Sequence, residues 1–201
     1  MNNKVFCLGL SKTGTTSMGH LFRQLGFSVC YENINTASNE SEINNFCDSV
    51  VDNYSFFQDL PWPKTYVRYI NRFPDSKFIL TYRPIDKWLN SMAIYGKKEI
   101  PLHQHIYGNS VYSGNESQFR DFYVNHINKV VDSFIDEPGR LLLLNIENHP
   151  YFSLKTVQGF LGISPDSTVR FPHSNKGNKN MLRWMIKRSK WKRLARLDEL
   201  D

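Results

Sequence analysis

The sequence predicts an α/β domain of three layers, with a mainly parallel central sheet flanked by helices. Two observations carry this. Apolar runs of strand length alternate with amphipathic stretches of helical length along the whole chain. The first apolar run also breaks at Gly9 into a turn that leads straight into a helical pattern, the join of a strand–loop–helix unit.

Each element follows in order. Residues 5–10 form a strand, and 15–25 a helix closed by Gly26. Residues 27–31 form a second strand. The Asn/Ser/Glu-rich stretch 33–53 holds one irregular helix, and 54–58 a short strand. A helix over 63–73 places Val67, Ile70 and Phe73 on one side. Residues 77–82 are a buried strand, followed by a helix from Pro84 to about Tyr95. Residues 97–115 mix Gly, Asn, Ser, His and Tyr and read as a loop or lid. A long helix over 118–135 has Phe119, Phe122, Val130, Val131 and Phe134 as its apolar side. Residues 141–146 form another buried strand, and 153–161 a helix ended by Gly162.

At 201 residues the chain is long enough for one domain with a full core. Cys7, Cys30 and Cys47 are odd in number and scattered, which fits reduced thiols and not a disulfide frame or zinc site. The N-terminus has no signal-peptide pattern, and no run reaches the 18 or so apolar residues of a membrane span, so the expected compartment is the cytoplasm. The net charge of +6 is uneven. Residues 1–175 hold 16 basic and 16 acidic residues, whereas 176–196 hold nine basic residues and no acid. The domain is therefore read as 1–178, with 179–201 a basic amphipathic C-terminal helix packed on it. Trp184, Met185, Ile186, Trp191 and Leu194 interleave with its cations, a pattern that also suits an acidic membrane surface or polyanion through 179–196. No specific nucleic acid is indicated.

Residues 4–16, KVFCLGLSKTGTT, have the makings of an oxyanion cradle. The free N–H groups and dipole of the helix favour phosphate or sulfate. Lys12 adds a mobile positive charge, and Thr13, Thr15, Thr16 and Ser17 add hydroxyls. In a Walker A loop the Lys follows the second Gly, whereas here it precedes Gly14. K-x-G-T-T after a strand resembles the 5′-phosphosulfate loop of sulfotransferases that use PAPS (3′-phosphoadenosine 5′-phosphosulfate).

The segment FILTYRPIDKWLNS sets Arg83 at the end of a buried strand and Ser91 eight residues on, a little over two helical turns away. An Arg fork and a hydroxyl suit a phosphate monoester; the alternative is an Arg83–Asp86 salt bridge with Ser91 in solvent. This spacing resembles the 3′-phosphate loop of the same family. FPHSNKGN places Lys176 and Gly177 where many members close a basic segment over that phosphate, although the usual Arg-Lys-Gly is here Asn175-Lys176-Gly177. The FPH-x-N stretch is like a subgroup of small sulfotransferase-like proteins that also carry G-x-S-K-T-G-T-T. The resemblance spans residues 4 to about 178. It implies a P-loop-type fold, PAPS as donor with PAP as product, and a donor site of Ser11, Lys12, Thr13, Gly14, Thr15, Thr16, Ser17, Arg83, Ser91, Lys176 and Gly177.

Sulfuryl transfer depends on positioning and charge stabilisation, and this logic requires no metal. Lys12 is the natural electrophile at the leaving phosphate. Asp59, in FFQDLPW, is the expected base toward an acceptor hydroxyl or amine of a small molecule or glycan; otherwise it caps the helix near Pro63. His103, His105, His126 and His173 compete, with His126 read as packed. A P-loop small-molecule kinase using ATP and Mg²⁺ is the alternative enzyme, and a non-catalytic nucleotide- or polyanion-binding protein using the basic C-terminal helix the non-enzymatic one.

Overall fold

The computed structural model describes residues 4–95, 99–148, 150–166 and 168–171, leaving aside the side chains of 150–152. In chain order the elements are β1 Val5–Cys7, α1 Thr15–Gln24, β2 Val29–Cys30, α2 Glu40–Val50 and β3 Phe56–Phe57. Then come α3 Trp62–Thr65, α4 Val67–Ile70, β4 Lys77–Tyr82 and α5 Ile85–Tyr95. The remainder are α6 Pro101–Tyr107, α7 Glu116–Ser133, β5 Leu141–Asn145 and α8 Pro150–Leu161.

The five strands form one sheet in the order β2-β3-β1-β4-β5, every pair parallel. The predicted α/β class is correct. Alternation along the strands divides the core into two layers. Phe6, Phe57, Phe78 and Leu80 face one side, where they meet residues of α2 to α7. Val5, Cys7, Phe56 and Ile79 face the other, against Met18, Leu21 and Phe22 of α1 and Leu154 and Val157 of α8. Phe6 centres the first layer, stacked 4.7 Å from Phe57 and 5.4 Å from Phe78 between ring centroids. Cys7, Cys30 and Cys47 are buried free thiols, pushed up to about 11, 11 and 12 chiefly by burial.

Several expectations are corrected. The helix read over 63–73 is two short pieces, α3 and α4, and Val67 is exposed because Tyr66 and Tyr69 take the core positions. The loop or lid read over 97–115 contains α6, which starts at Pro101 and stops at Gly108 with φ 77°. Leu102 and Ile106, one turn apart, bury its inner side, and the Leu102 N–H donates to the Asn35 carbonyl. Among the described residues no helix is long and apolar enough to cross a membrane. The expectations for His173, Lys176, Gly177 and the segment 179–201 lie outside the described residues.

All strands point the same way, so the loops that leave β1, β3, β4 and β5 open on one edge. The strand order reverses direction around β1: the chain goes to one side for β2 and β3 and to the other for β4 and β5. In such sheets the ligand crevice forms at the carboxyl ends beside the reversal.

Candidate functional site

A cavity of about 410 Å³ opens at this edge, lined by Ser11, Lys12, Gly14 to Ser17, Asp59, Arg83, Ser91, Tyr95, Ile146, Glu147 and Phe171. Thus the loop after β1, Asp59 after β3, Arg83 after β4 and Ser91 of α5 meet in one place, although they are scattered over 80 residues of sequence.

The β1–α1 loop is tight because Gly9 permits it. A Cβ there would lie 1.8 Å from Thr81 Oγ1 and 2.8 Å from the Thr81 carbonyl. Lys12 and Gly14 both take left-handed backbone, at φ 71° and 83°. For Gly14 this costs nothing; for Lys12 it is stored strain of the kind that clusters at functional sites. Gly14 begins α1 with no side-chain cap, so the first-turn N–H groups of the helix have no side-chain acceptor and its residues line the cavity. Trp88 Nε1–H holds the loop by donating to the Ser11 carbonyl at 2.9 Å.

Thr13, one of the expected donor-site residues, does not line the cavity. It is 0% exposed, its hydroxyl donates to the Leu10 carbonyl at 2.7 Å and lies 3.0 Å from Thr81 Oγ1. Its N–H also turns inward to the Leu10 carbonyl. Thr13 braces the loop against β4 while its neighbours line the cleft.

Asp59 has φ 63°, the second non-glycine residue with left-handed backbone among those described. Its carboxylate does not cap α3, whose N-cap is Pro61. Instead Oδ1 accepts from the Ser11 hydroxyl at 3.1 Å and from the Leu60 N–H at 3.0 Å. Asp59 and Lys12 line the same cavity. Lys12 Nζ sits 4.7 Å from the Tyr95 ring centroid, a cation–π contact that holds the flexible amine over the mouth. The Tyr95 phenol is pushed up by burial and by the Asp59 charge.

Arg83 pairs with Glu147, not with Asp86, which takes Arg120 instead. The Arg83 Nε is buried without a partner, and Nη1 reaches the Lys12 carbonyl at a long 3.4 Å, so the guanidinium keeps donors for an anion. Glu147 went unnoticed in the sequence. Its signal was an acid directly after a buried strand, the position that Asp59 and Arg83 hold after theirs.

The histidines stand apart. His126 is half-buried, its Nε2–H donates to the Leu8 carbonyl at 2.8 Å, and loss of solvation lowers its pKa to about 4. His103 is 3% exposed between Tyr95 and Tyr107, and burial lowers it too. Neither lines the cavity, nor does His105.

Fold and cleft define an α/β protein whose parallel sheet presents an uncapped helix N-terminus, a Lys, an Arg and a carboxylate at one carboxyl edge. Residues 4–100, just under half of the chain, match the family model described as a sulfotransferase domain. Among solved structures the chain is similar to a sulfotransferase from Alicyclobacillus acidocaldarius, with TM-score 0.56 and 16% identity over 100% of this chain and 96% of that one. It is also similar to the mouse sulfotransferase SULT7A1 complexed with PAP, with TM-score 0.52 and 15% identity. That match covers 84% of this chain and 61% of the mouse protein. No curated protein matches by sequence. At these identities the solved structures establish the fold. The matched domain, which contains the β1–α1 loop, Asp59, Arg83 and Ser91, supports the sulfotransferase family.

Proposed function

We propose that the protein is a PAPS-dependent sulfotransferase that moves a sulfuryl group to a hydroxyl or amine of a small-molecule or glycan acceptor. The observation that carries this reading is the convergence of Lys12, the uncapped start of α1, Asp59, Arg83 and Ser91 on one cavity. The PAP held by the mouse neighbour is consistent with the same donor here.

The residues fit such a donor. The N–H groups of Gly14 to Thr16 and the hydroxyls of Ser11, Thr15, Thr16 and Ser17 suit the 5′-phosphosulfate. The free donors of Arg83, with the Ser91 hydroxyl, suit the 3′-phosphate; Lys176 and Gly177 extend that subsite in sequence. PAPS supplies an activated sulfuryl group with a phosphate as leaving group. Lys12, held over the cleft mouth, stabilises negative charge that develops on the leaving oxygen. Asp59, fixed by Ser11 and the Leu60 N–H, presents a carboxylate oxygen to take the acceptor proton. The acceptor enters past Tyr95, which is 40% exposed and offers a face for a sugar or phenol ring.

A ³⁵S-PAPS transfer screen over glycans, phenols, lipids and peptides tests the activity, with Lys12→Ala and Asp59→Ala as controls. Transfer that survives Lys12→Ala overturns the mechanism. Thermal stabilisation by ATP–Mg²⁺ without stabilisation by PAP assigns the cleft to a kinase, and PAP binding without transfer to any acceptor makes it a nucleotide-binding protein. The cationic segment 179–196 is proposed to contact acidic membranes or polyanions. Vesicle sedimentation of the chain lacking 180–201 tests that contact.

A further inference from the structure

Glu147 enters the cleft from the loop after β5 with a side chain 4% exposed, and its two oxygens are divided between two cations. Oε1 accepts from Arg83 Nη2, and Oε2 from Lys87 Nζ at 2.7 Å. The Arg that suits a phosphate monoester is therefore already paired with a carboxylate of the protein. The pairing is partial, since Nε has no partner and Nη1 makes only the long contact to the Lys12 carbonyl. A phosphate received by those donors lies close to the Glu147 carboxylate, which is itself nearly buried, and like charges repel. Two cations face one fixed anion, so the subsite keeps a net positive charge that is smaller than its cations alone would give.

We propose that Glu147 is a specificity-determining counterweight: it orients Arg83 and, by its charge, lowers the affinity of the cleft for the 3′-phosphate. This rests on the donor reading above. PAP carries that same phosphate, so a subsite made of unopposed cations would hold the product and slow its release. The carboxylate gives Arg83 a fixed orientation without that penalty, and Lys87 balances part of its charge from the solvent side, being 31% exposed against 15% for Arg83.

The test is isothermal titration of PAP and of 5′-AMP, which lacks the 3′-phosphate, into the wild type, Glu147→Gln and Lys87→Gln. Glutamine keeps an acceptor for Arg83 and removes the charge. Glu147→Gln is expected to bind PAP about tenfold more tightly while 5′-AMP changes little. Lys87→Gln, which leaves the carboxylate less balanced, is expected to bind PAP more weakly. Opposite shifts from the two partners of one salt bridge are not what simple structural damage produces. Unchanged or weaker PAP binding by Glu147→Gln overturns the inference, as does equal tightening of both nucleotides. If Glu147→Gln does not fold, Lys87→Gln decides: weaker PAP binding supports the counterweight, and unchanged or tighter binding overturns it. These failures leave PAP binding by the wild type intact. A wild type that binds no PAP overturns the donor reading and this inference together.

Discussion

The Tyr123 hydroxyl clasps the backbone of Arg83, accepting from its N–H at 3.0 Å and donating to its carbonyl at 2.8 Å. Tyr123 is itself fixed by stacking on Trp88, 4.4 Å between centroids at 27°, and Trp88 holds the Ser11 carbonyl. One aromatic pair thereby fixes both the β1–α1 loop and the chain that leaves β4 at the cleft. Tyr123→Phe keeps the ring and frees both Arg83 backbone groups. The expected loss is about 1–3 kcal/mol of stability, measured by urea denaturation. PAP affinity falls by a larger factor than 5′-AMP affinity, because Arg83 alone loses its anchor.

The left-handed backbone of Lys12 separates stability from function at one position. Lys12→Gly and Lys12→Ala both remove the amine, so both are expected to abolish the proposed sulfuryl transfer. The glycine variant relieves the φ 71° strain, whereas alanine retains it. Lys12→Gly is therefore expected to be the more stable of the two by roughly 1 kcal/mol, read from paired urea melts. Equal stability would mean that the loop relaxes out of this conformation when the amine is gone.

Gly9 is constrained by space and not by φ. A methyl at this position meets Thr81 Oγ1 and Thr13 Oγ1, and then the Thr81 carbonyl, which a side-chain rotation does not move. Gly9→Ala is expected to cost about 1–3 kcal/mol or more through overpacking. Adding Thr81→Ala recovers only part of it, since the carbonyl contact persists. Denaturation midpoints of the single and double variants check this.

The α/β class and the strand–turn–helix join at Gly9 were legible because their signals are local. Apolar runs of five or six residues, a glycine-rich turn and a helix start lie within a few positions of one another. The Arg83 to Ser91 spacing was legible for the same reason, Arg83 standing at the end of β4 and Ser91 two turns along the helix that follows. Glu147 carried only the weak signal of an acid after a buried strand, since its partners Arg83 and Lys87 are 64 and 60 residues away. Helix α6 hid behind Gly, Asn and His composition, although Pro101, Leu102, Ile106 and Gly108 have helical start, spacing and stop. The inward turn of Thr13 was not legible, because hydroxyl identity does not say which way a side chain turns. Only the crossing of the loop over Thr81 decides that.

The Asp59 carboxylate, the proposed base, is held by two donors, and the two can be separated. Asp59→Asn keeps the size and the acceptor oxygen but not the base, so transfer is expected to fall about 10²- to 10⁴-fold with PAP affinity retained. Ser11→Ala removes only the 3.1 Å hydroxyl contact, leaving the Leu60 N–H in place, and is expected to lower transfer by a smaller factor. Single-turnover transfer rates beside PAP titrations measure both. A variant Asp59→Asn that transfers at the wild-type rate removes Asp59 from the mechanism.

His126 gives the fold a pH dependence whose sign is fixed by burial. The folded imidazole takes its proton only near pH 4, lowered first by desolvation and further by the Lys129 charge, with the bond to the Leu8 carbonyl opposing. In the unfolded chain it takes a proton near 6.5. Below pH 6.5 the unfolded state therefore binds more protons, and stability falls as the pH drops from 6.5 to 4. The contribution is on the order of 3 kcal/mol across that window, with His103 adding a loss of the same sign. His126→Gln, which keeps a donor for the Leu8 carbonyl but does not titrate, is expected to flatten this part of the curve. The comparison is of urea-derived stability at pH 7, 5.5 and 4 for the two proteins. Parallel curves would mean that the imidazole is protonated in the folded state and that water reaches the Leu8 carbonyl beneath α7.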